Sequence, residues 1–148
     1  MGHVLDLLQL KGDAVYTVTP EATVYEATAR MNQHRLGAMV VVARGDPRRI
    51  VGVFTERDVL RRVVGQLRYP DLVSVGEVMT TDVICVTPDS TVEEAATLMQ
   101  ERRIRHLPVC DEEGLLAGMI SIGDINAWNV QRARDEIAGL NDYICGRV

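Results

Sequence analysis

The sequence predicts an α/β (α+β) fold in which two β-α-β-β-α repeats pack about a pseudo-twofold axis. The first observation is an internal repeat: Thr19-Pro20 recurs as Thr87-Pro88, and the segments that follow match at the same spacing. The other two observations are helix starts and apolar strand runs at matching places in both halves. One half alone, about 60 residues long, buries too little surface to be comfortably stable, so the two sheets should pack together.

The spacing between matching residues shortens by two positions within the repeats. Thr19 lies 68 positions before Thr87, whereas Gly52 lies 66 positions before Gly118. The difference falls beside a turn that glycine, aspartate and proline mark at positions 45–47, and turns tolerate changes of length. The shortened spacing therefore supports the alignment of the two halves.

The elements of the first repeat follow from capping and periodicity. Thr23 and Glu26 form a capping box, and apolar residues at 24, 27 and 31 then follow with the period of a helix that should end near His34. A β-branched apolar run at 38–43 is typical of a strand buried on both faces. We predict a short amphipathic helix or turn at 4–8 ended by Gly12, strands at 13–18, 38–43 and 50–55, and helices at 23–34 and 56–64, the last with Val59, Leu60 and Val63 facing inward.

The second repeat has the same order of elements. Thr91 and Glu94 form another capping box, and apolar residues at 92, 95 and 99 form the same helical stripe. We predict strands at 83–86, 107–110 and 115–121, a tight turn at 111–114 and a long helix at 123–138. The predicted domain bounds are 8–66 for the first repeat, 67–77 for a linker, 78–135 for the second repeat and 136–148 for a C-terminal tail.

Composition excludes several classes of protein. The chain has 148 residues, of which 47% are hydrophobic and 25% charged, as in ordinary soluble globular proteins. Its net charge of −5 argues against a nucleic-acid binder, which would usually be basic. The longest apolar run, at 38–43, is far too short to span a membrane, and the N-terminus lacks the basic-then-apolar pattern of a signal peptide. We therefore expect a cytoplasmic protein that contacts neither nucleic acid nor membrane.

The cysteines are widely spaced, at positions 85, 110 and 145, and form no C-x-x-C motif. An odd number of them in a reducing compartment favours free thiols, although an intersubunit disulfide through Cys145 stays open. A metal site that combines one of them with His3, His34 or His106 stays open, but no cluster with the spacing of a known zinc motif supports it, so we expect no metal.

A short pattern that occurs once in each repeat carries the candidate chemistry. It reads Gly-x-x-Thr/Ser-x-x-Asp and places Thr55 and Asp58 in the first repeat, and Ser121 and Asp124 in the second, where a strand meets the next helix. A carboxylate accepts charge-assisted hydrogen bonds from the vicinal hydroxyls of a ribose, and a helix N-terminus favours a phosphate. The same pattern also fits an ordinary helix cap.

Together these motifs make the chain similar to a tandem pair of cystathionine-β-synthase (CBS) domains, the Bateman module. The matching residues are Thr-Pro-x-x-Thr-Val-x-Glu-Ala at 87–95, Arg-His-Leu-Pro-Val at 105–109 and Gly-x-x-Ser-x-x-Asp at 118–124, with counterparts in the first repeat. The resemblance covers residues 8–135. It implies a sensor of small molecules, most often adenosine-containing ligands such as AMP, ADP, ATP, NAD or S-adenosylmethionine.

The resemblance also implies two ligand sites, each built from both repeats. The first would combine residues from the 55–58 junction with residues of the second repeat: Thr55, Arg57, Asp58, Thr81, Val83, Arg105, His106 and Pro108. The second would combine the 121–124 junction with residues of the first repeat: Ser121, Gly123, Asp124, Asp13, Ala14, Tyr16, Gly37 and Ala38. In the family, the segments around Val83 and at 13–16 read adenine through their backbone.

The two sites differ in charge. Arginine is always charged and forks onto phosphate, and Arg105 is replaced by Gly37 in the first repeat. We therefore expect the first site to bind a phosphorylated nucleotide more tightly. Arg105 and His106 also fit a surface arginine and a half-buried histidine bonded to backbone, and Tyr16 fits either a stack on a base or a core position.

We expect a sensor module that binds an adenine nucleotide, most readily AMP, and signals its occupancy to an unidentified partner protein. By the family resemblance it should form a homodimer through the helices at 56–64 and 123–138. The alternatives are an S-adenosylmethionine sensor and a partner-binding module with degenerate pockets. An enzyme is not expected, because no triad spacing, metal cluster or Gly-rich phosphate loop is present, and no catalytic cofactor is implied.

Overall fold

The computed structural model describes residues 2–12 and 14–144. The helices are α1 (Val4–Lys11), α2 (Val24–His34), α3 (Glu56–Arg62), α4 (Val75–Val78), α5 (Val92–Arg102) and α6 (Ile122–Ile144), with a 3₁₀ turn at Val64–Gln66. The strands are β1 (Thr17–Val18), β2 (Ala38–Ala43), β3 (Asp46–Thr55), β4 (His106–Cys110) and β5 (Leu116–Ser121). The predicted α/β (α+β) class is confirmed.

Each half contains one small sheet. In the first, β1 pairs parallel with β2, and β2 pairs antiparallel with β3. In the second, β4 pairs antiparallel with β5, and Val86 adds a single parallel bridge to Val109. Within the described residues, the predicted strands at 13–18 and 83–86 are thus reduced to a pair of residues and one bridge. Residues 14–15 and 83–84, outside the paired positions, line cavities.

The α2 helix ends at His34 as predicted, whereas α1 runs three residues longer and α3 two residues shorter than predicted. Capping boxes begin α2 and α5, and both helices end at an arginine in the left-handed region, Arg35 with φ 56° and Arg103 with φ 55°. In α3 the inward prediction is confirmed for Val59 and Val63 but wrong for Leu60, which is 64% exposed. Leu60 lies on the outer side of the helix, at the edge of a cavity.

The last helix is longer than predicted. It continues through Gly139 to Ile144, so the residues before 145 that the sequence assigned to a tail are helical. An interior glycine weakens a helix by only about 1 kcal/mol relative to alanine, and no proline follows to stop it. Residue 145, the site of the open disulfide question, lies outside the described part of the chain.

Two helices exchange partners between the halves. Although α1 precedes the first repeat, its Val4 and Leu7 belong to the apolar core of the second. In return, α4 lies between the repeats, yet its Val75 and Val78 belong to the core of the first. The α4 helix was missed within the predicted linker, because a single turn is too short to show periodicity.

The exchange is anchored by matching backbone hydrogen bonds. The Val4 amide donates to the carbonyl of Ser90 at 2.8 Å, and the Val75 amide donates to the carbonyl of Ala22 at 2.8 Å. These contacts relate the two helices by the pseudo-twofold axis. Each half is therefore completed by a helix that lies outside its own repeat.

The halves meet through apolar and polar contacts. Val40 and Val42 of β2 pack with Leu116 of β5, and the guanidinium of Arg48 pairs with the carboxylate of Asp111 across the same face. Across the described residues, every helix is either too short or too polar to cross a membrane.

Candidate functional site

A cavity of about 450 Å³ lies where the β3–α3 junction faces the second half, a size within the range of small-molecule sites. It brings together seven of the eight residues predicted for the first site: Thr55, Arg57, Asp58, Val83, Arg105, His106 and Pro108. Thr81, the eighth, does not line it. Its neighbour Thr80 does.

Asp58 lies in the wall of this cavity and is only 5% exposed. Its Oδ2 accepts from the Thr55 amide at 3.0 Å, and its own amide donates to Thr55 Oγ1 at 3.2 Å, which is a capping box for α3. Its Oδ1 accepts from the Thr80 hydroxyl at 3.3 Å. The cap and the cavity are therefore built from the same carboxylate.

Positive charge gathers around this cavity. The lining includes four guanidinium groups, from Arg57, Arg61, Arg103 and Arg105. Among the described residues none of the four forms an ion pair with a carboxylate within 4 Å. Three carboxylates, those of Glu56, Asp58 and Asp82, line the same cavity, so four positive and three negative groups leave a net charge of +1 there. In a chain of net charge −5, this positive balance and the arginines without a carboxylate partner favour an anionic ligand.

Some lining residues were missed by the sequence analysis: Glu56, Arg61, Thr80, Asp82, Ile84 and Ile104 among them. Arg61 follows Arg57 by four residues, so the helical period could have placed both on one face. Thr80 gave no such signal. It reaches the site because its amide and carbonyl pair with Val53 of β3, at 2.9 Å each.

His106 lies at the start of β4, with its ring packed against Gly37. Burial is the main reason that the pKa of its imidazole is lowered, and the nearby charges of Lys11 and Arg105 lower it further. Glu56 and Asp124 act in the opposite direction but do not reverse the shift. His106 is therefore held neutral at the boundary between the two sites.

The protein should lose stability as pH falls through the titration of His106. The unfolded chain has the higher pKa, near 6.5, so it binds more protons and is favoured as the pH drops from about 7 to about 5. Urea unfolding across this range should show the loss, and His106→Gln should flatten it. The pKa values of Glu77 and Asp111 are also lowered, from ordinary values that are already below this pH range, so these groups should contribute little to the loss of stability within it. If the free energy of unfolding depended on pH equally in the variant and the wild type, the assignment to His106 would be wrong.

The second site differs from the prediction. Ser121 and Asp124 form the expected cap, with the Ser121 amide donating to Asp124 Oδ2 at 2.8 Å. The ammonium of Lys11 donates to the same Oδ2 at 2.9 Å and to the carbonyl of Met119 at 2.9 Å. Ser121 and Asp124 line neither the cavity beside Asp58 nor a second, smaller cavity beside α1.

The remaining residues of that predicted site are dispersed. Gly37 lines the first cavity, and Ala38 is buried in β2. Ala14 lines a separate cavity of about 240 Å³ beside α1. The Tyr16 ring stacks on the ring of His34, with the two centroids 4.1 Å apart, and packs against the core of the first half. Of the two roles considered for Tyr16, the structure shows the core position.

Gly123 and Asp13 are the last two residues of the predicted second site. Gly123 is exposed at the start of α6 and lines neither cavity. Asp13 lies outside the described residues. The two predicted sites therefore differ in their surroundings, and the contact of Lys11 with Asp124 is a difference that the sequence did not indicate. The tighter binding of a nucleotide at the first site stays a prediction.

Reactive and metal-binding groups are sparse in the described part of the chain. Cys85 and Cys110 are free thiols, and burial, together with the neighbouring Cys85, raises the pKa of Cys110 to about 12. A thiol with so high a pKa is a poor nucleophile. Within residues 2–12 and 14–144 no group of three or more His, Cys, Asp or Glu side chains could hold a metal ion.

Comparison with known proteins agrees with this geometry. The family model of the CBS domain matches the chain twice, over residues 11–65 and 75–129. The chain is 40% identical, over 97% of its length, to the mitochondrial CBS domain-containing protein CBSX3 of Arabidopsis thaliana, of which it covers 72%. The crystal structure of the CBS domain NE2398 is 35% identical with a TM-score of 0.81, over 88% of this chain and 99% of that one.

A solved structure with a bound ligand is also similar. The CBS domain protein PAE2072 from Pyrobaculum aerophilum, complexed with AMP, is 31% identical with a TM-score of 0.75, over 82% of this chain and 88% of that one. A hexameric CBS-CP12 protein from bloom-forming cyanobacteria is 29% identical with a TM-score of 0.73, over 84% of this chain and 69% of that one. Inosine-5'-monophosphate dehydrogenase of Staphylococcus haemolyticus is 34% identical over 74% of this chain but only 21% of the enzyme.

Proposed function

Because the chain belongs to the CBS-domain family and carries two copies of the domain, we propose that it is a regulatory module that binds an adenosine nucleotide beside Asp58 and signals occupancy to a partner protein. The observation that carries the proposal is the first cavity, in which a carboxylate of one repeat faces arginines of the other. A ligand there would touch both halves. It could therefore favour one arrangement of the two halves over another, which signalling requires.

Each part of a nucleotide has a matching partner in the cavity. Thr55 and Asp58 line the cavity with a hydroxyl and a carboxylate that a ribose could meet, and Val83 lines it where the family resemblance expects adenine. Arg105 can fork onto a phosphate. The AMP complex of the similar Pyrobaculum aerophilum protein supports AMP as the first ligand to test, with ADP, ATP and NAD as candidates of the same chemistry.

Two alternatives are weighed against this proposal. S-adenosylmethionine carries a cationic sulfonium, which the net positive lining of the cavity disfavours. A purely structural module would have degenerate pockets, whereas this cavity is lined by seven of the eight residues expected at the first site. Catalysis is not proposed, since the similarity to inosine-5'-monophosphate dehydrogenase spans about a fifth of that enzyme.

Replacing Asp58 with asparagine should weaken AMP binding by about tenfold, because hydrogen bonds to a charged acceptor are stronger than those to a neutral amide. Isothermal titration calorimetry measures this directly, and Asp124→Asn is the matched control in the other repeat. If no nucleotide in a panel of AMP, ADP, ATP and NAD shifts the melting temperature of the wild type or gives heat, the structural alternative replaces the sensor.

The proposed module is a homodimer. Exposed apolar side chains lie on both helices expected at the interface: Leu60 on α3, and Val130, Ile137, Leu140 and Ile144 on α6. Burying them against a second copy would remove this surface from water. The hexameric cyanobacterial relative shows that a similar chain assembles. Light scattering after size exclusion would give the mass, and a monomer at micromolar concentration would contradict the proposal.

A further inference from the structure

The C-terminal part of α6 extends away from the core of the second half. The start of the helix is held there, because Ile125 is buried in that core and Trp128 packs against it. Beyond Trp128, almost every residue from 129 to 144 is exposed to solvent. An isolated helix of about 15 residues is only marginally stable in water. The segment at 129–144 would therefore gain stability from a second helix packed against it.

The apolar residues of this segment recur with the spacing of a coiled coil. They follow one another at intervals of three, four, three and four residues and are all exposed: Val130, Ala133, Ile137, Leu140 and Ile144. In heptad terms, every a position is β-branched and Leu140 occupies a d position, a combination that favours two parallel strands. The polar face lies opposite this stripe, and there the Gln131 amide donates to the Asp135 carboxylate at 3.1 Å.

The residues that flank the stripe suit a parallel pair of identical helices. In such a pair, the g residue of one helix lies beside the e residue of the following heptad in the other. Asn129 would therefore meet Arg134, and Glu136 would meet Asn141. A side-chain amide accepts from a guanidinium and donates to a carboxylate, so all four side chains would have partners.

An antiparallel pair of the same helices is disfavoured by charge. With Val130 opposite Leu140 of a second copy, each Arg134 would lie beside the other Arg134, and each Glu136 beside the other Glu136. Like charges brought together in an interface oppose association. The stripe and its flanking residues thus match a parallel helix of the same sequence, which a second copy of this chain supplies.

We infer that residues 129–144 of α6 form a parallel two-stranded coiled coil with the same residues of a second copy. The inference rests on the homodimer of the proposed function, to which it adds the contact made by α6 and its direction. The two copies would lie at the same end of the coil, because α6 begins in the second core of each chain. The nucleotide cavity is lined by residues outside this segment, so binding and pairing can be tested separately.

Cross-linking through an engineered cysteine tests the direction of the coil. Leu140→Cys, in a background of Cys85→Ser and Cys145→Ser, should form a covalent dimer with oxidised glutathione, since d residues of a parallel pair face each other. In the antiparallel pair the two sulfurs would be separated by about 15 Å along the helix axis, the rise of about ten residues. Asp135→Cys in the same background is the matched control on the outer face and should remain uncross-linked. Peptide mass spectrometry identifies the joined residues.

Association in solution provides a second measurement. Leu140→Gln should raise the dissociation constant of the dimer by at least about tenfold in analytical ultracentrifugation, because both copies lose a buried leucine. Gln131→Ala, on the outer face, should leave this constant unchanged, and neither variant should alter the affinity for AMP.

The outcomes separate the inference from the proposed function. A dimeric wild type in which Leu140→Cys fails to cross-link, or in which Asp135→Cys cross-links equally well, would overturn the coiled coil and keep the homodimer. A monomeric wild type would overturn both. AMP binding by that monomer would still support the sensor, whereas loss of AMP binding with cross-linking intact would overturn the sensor alone.

Discussion

Replacing Arg105 with alanine is expected to weaken AMP binding by about tenfold, the lower end of what a hydrogen bond to a charged group contributes. Adenosine binding should change far less, because the arginine is proposed to meet the phosphate. Arg105 lines the cavity from the loop before β4 and has no carboxylate partner within 4 Å among the described residues. The loss should shrink as salt is raised, since exposed charges are screened.

Arg102→Ala is the matched control for this experiment. Arg102 lies three residues before Arg105, at the end of α5, but does not line the cavity. Titration calorimetry with AMP and adenosine should separate the two variants. Unchanged AMP affinity in Arg105→Ala, or an equal loss in Arg102→Ala, would contradict the phosphate assignment.

Truncating Leu7 to alanine should lower the free energy of unfolding by about 2–5 kcal/mol, the usual range for a buried leucine. Leu7 is 2% exposed and packs in the core of the second half, although it precedes the first repeat in sequence. Hydrogen exchange should therefore show the loss of protection first in β4 and β5. Urea unfolding gives the magnitude of the effect.

Leu10→Ala provides the control on the same helix. Leu10 is 71% exposed, and surface substitutions usually change stability by less than about 0.5 kcal/mol. If Leu7→Ala instead destabilised β1 to β3 first, the exchange of helices would be wrong.

Local patterns predicted the elements that local physics determines. The capping boxes at Thr23 and Thr91 are made by residues three positions apart, so the sequence alone places them. The Thr-x-x-Asp pattern likewise predicts the cap at Asp58, and the family resemblance predicts that Asp58 lies in a cleft. What local patterns leave open is whether a carboxylate only caps a helix or also lines a cavity.

The errors arose where distant segments decide the outcome. Lys11 meets Asp124 across 113 positions of chain, and no spacing rule connects them. Leu60 was assigned to the core because it is apolar, yet it lies on the outer face of α3 beside the cavity. Of the described part of the predicted strand at 13–18, only Thr17–Val18 pairs with β2, whereas Ala14 and Val15 line a cavity.

The exchange of α1 and α4 means that the boundaries of the sequence repeats are not the boundaries of the folded units. A fragment cut between the repeats would carry one foreign helix and lack its own, leaving Val75 and Val78 or Val4 and Leu7 with no core to enter. A cut placed after Val78 would instead leave α4 with the first half. The second half has no such solution, because α1 is separated from it in sequence by the whole first repeat.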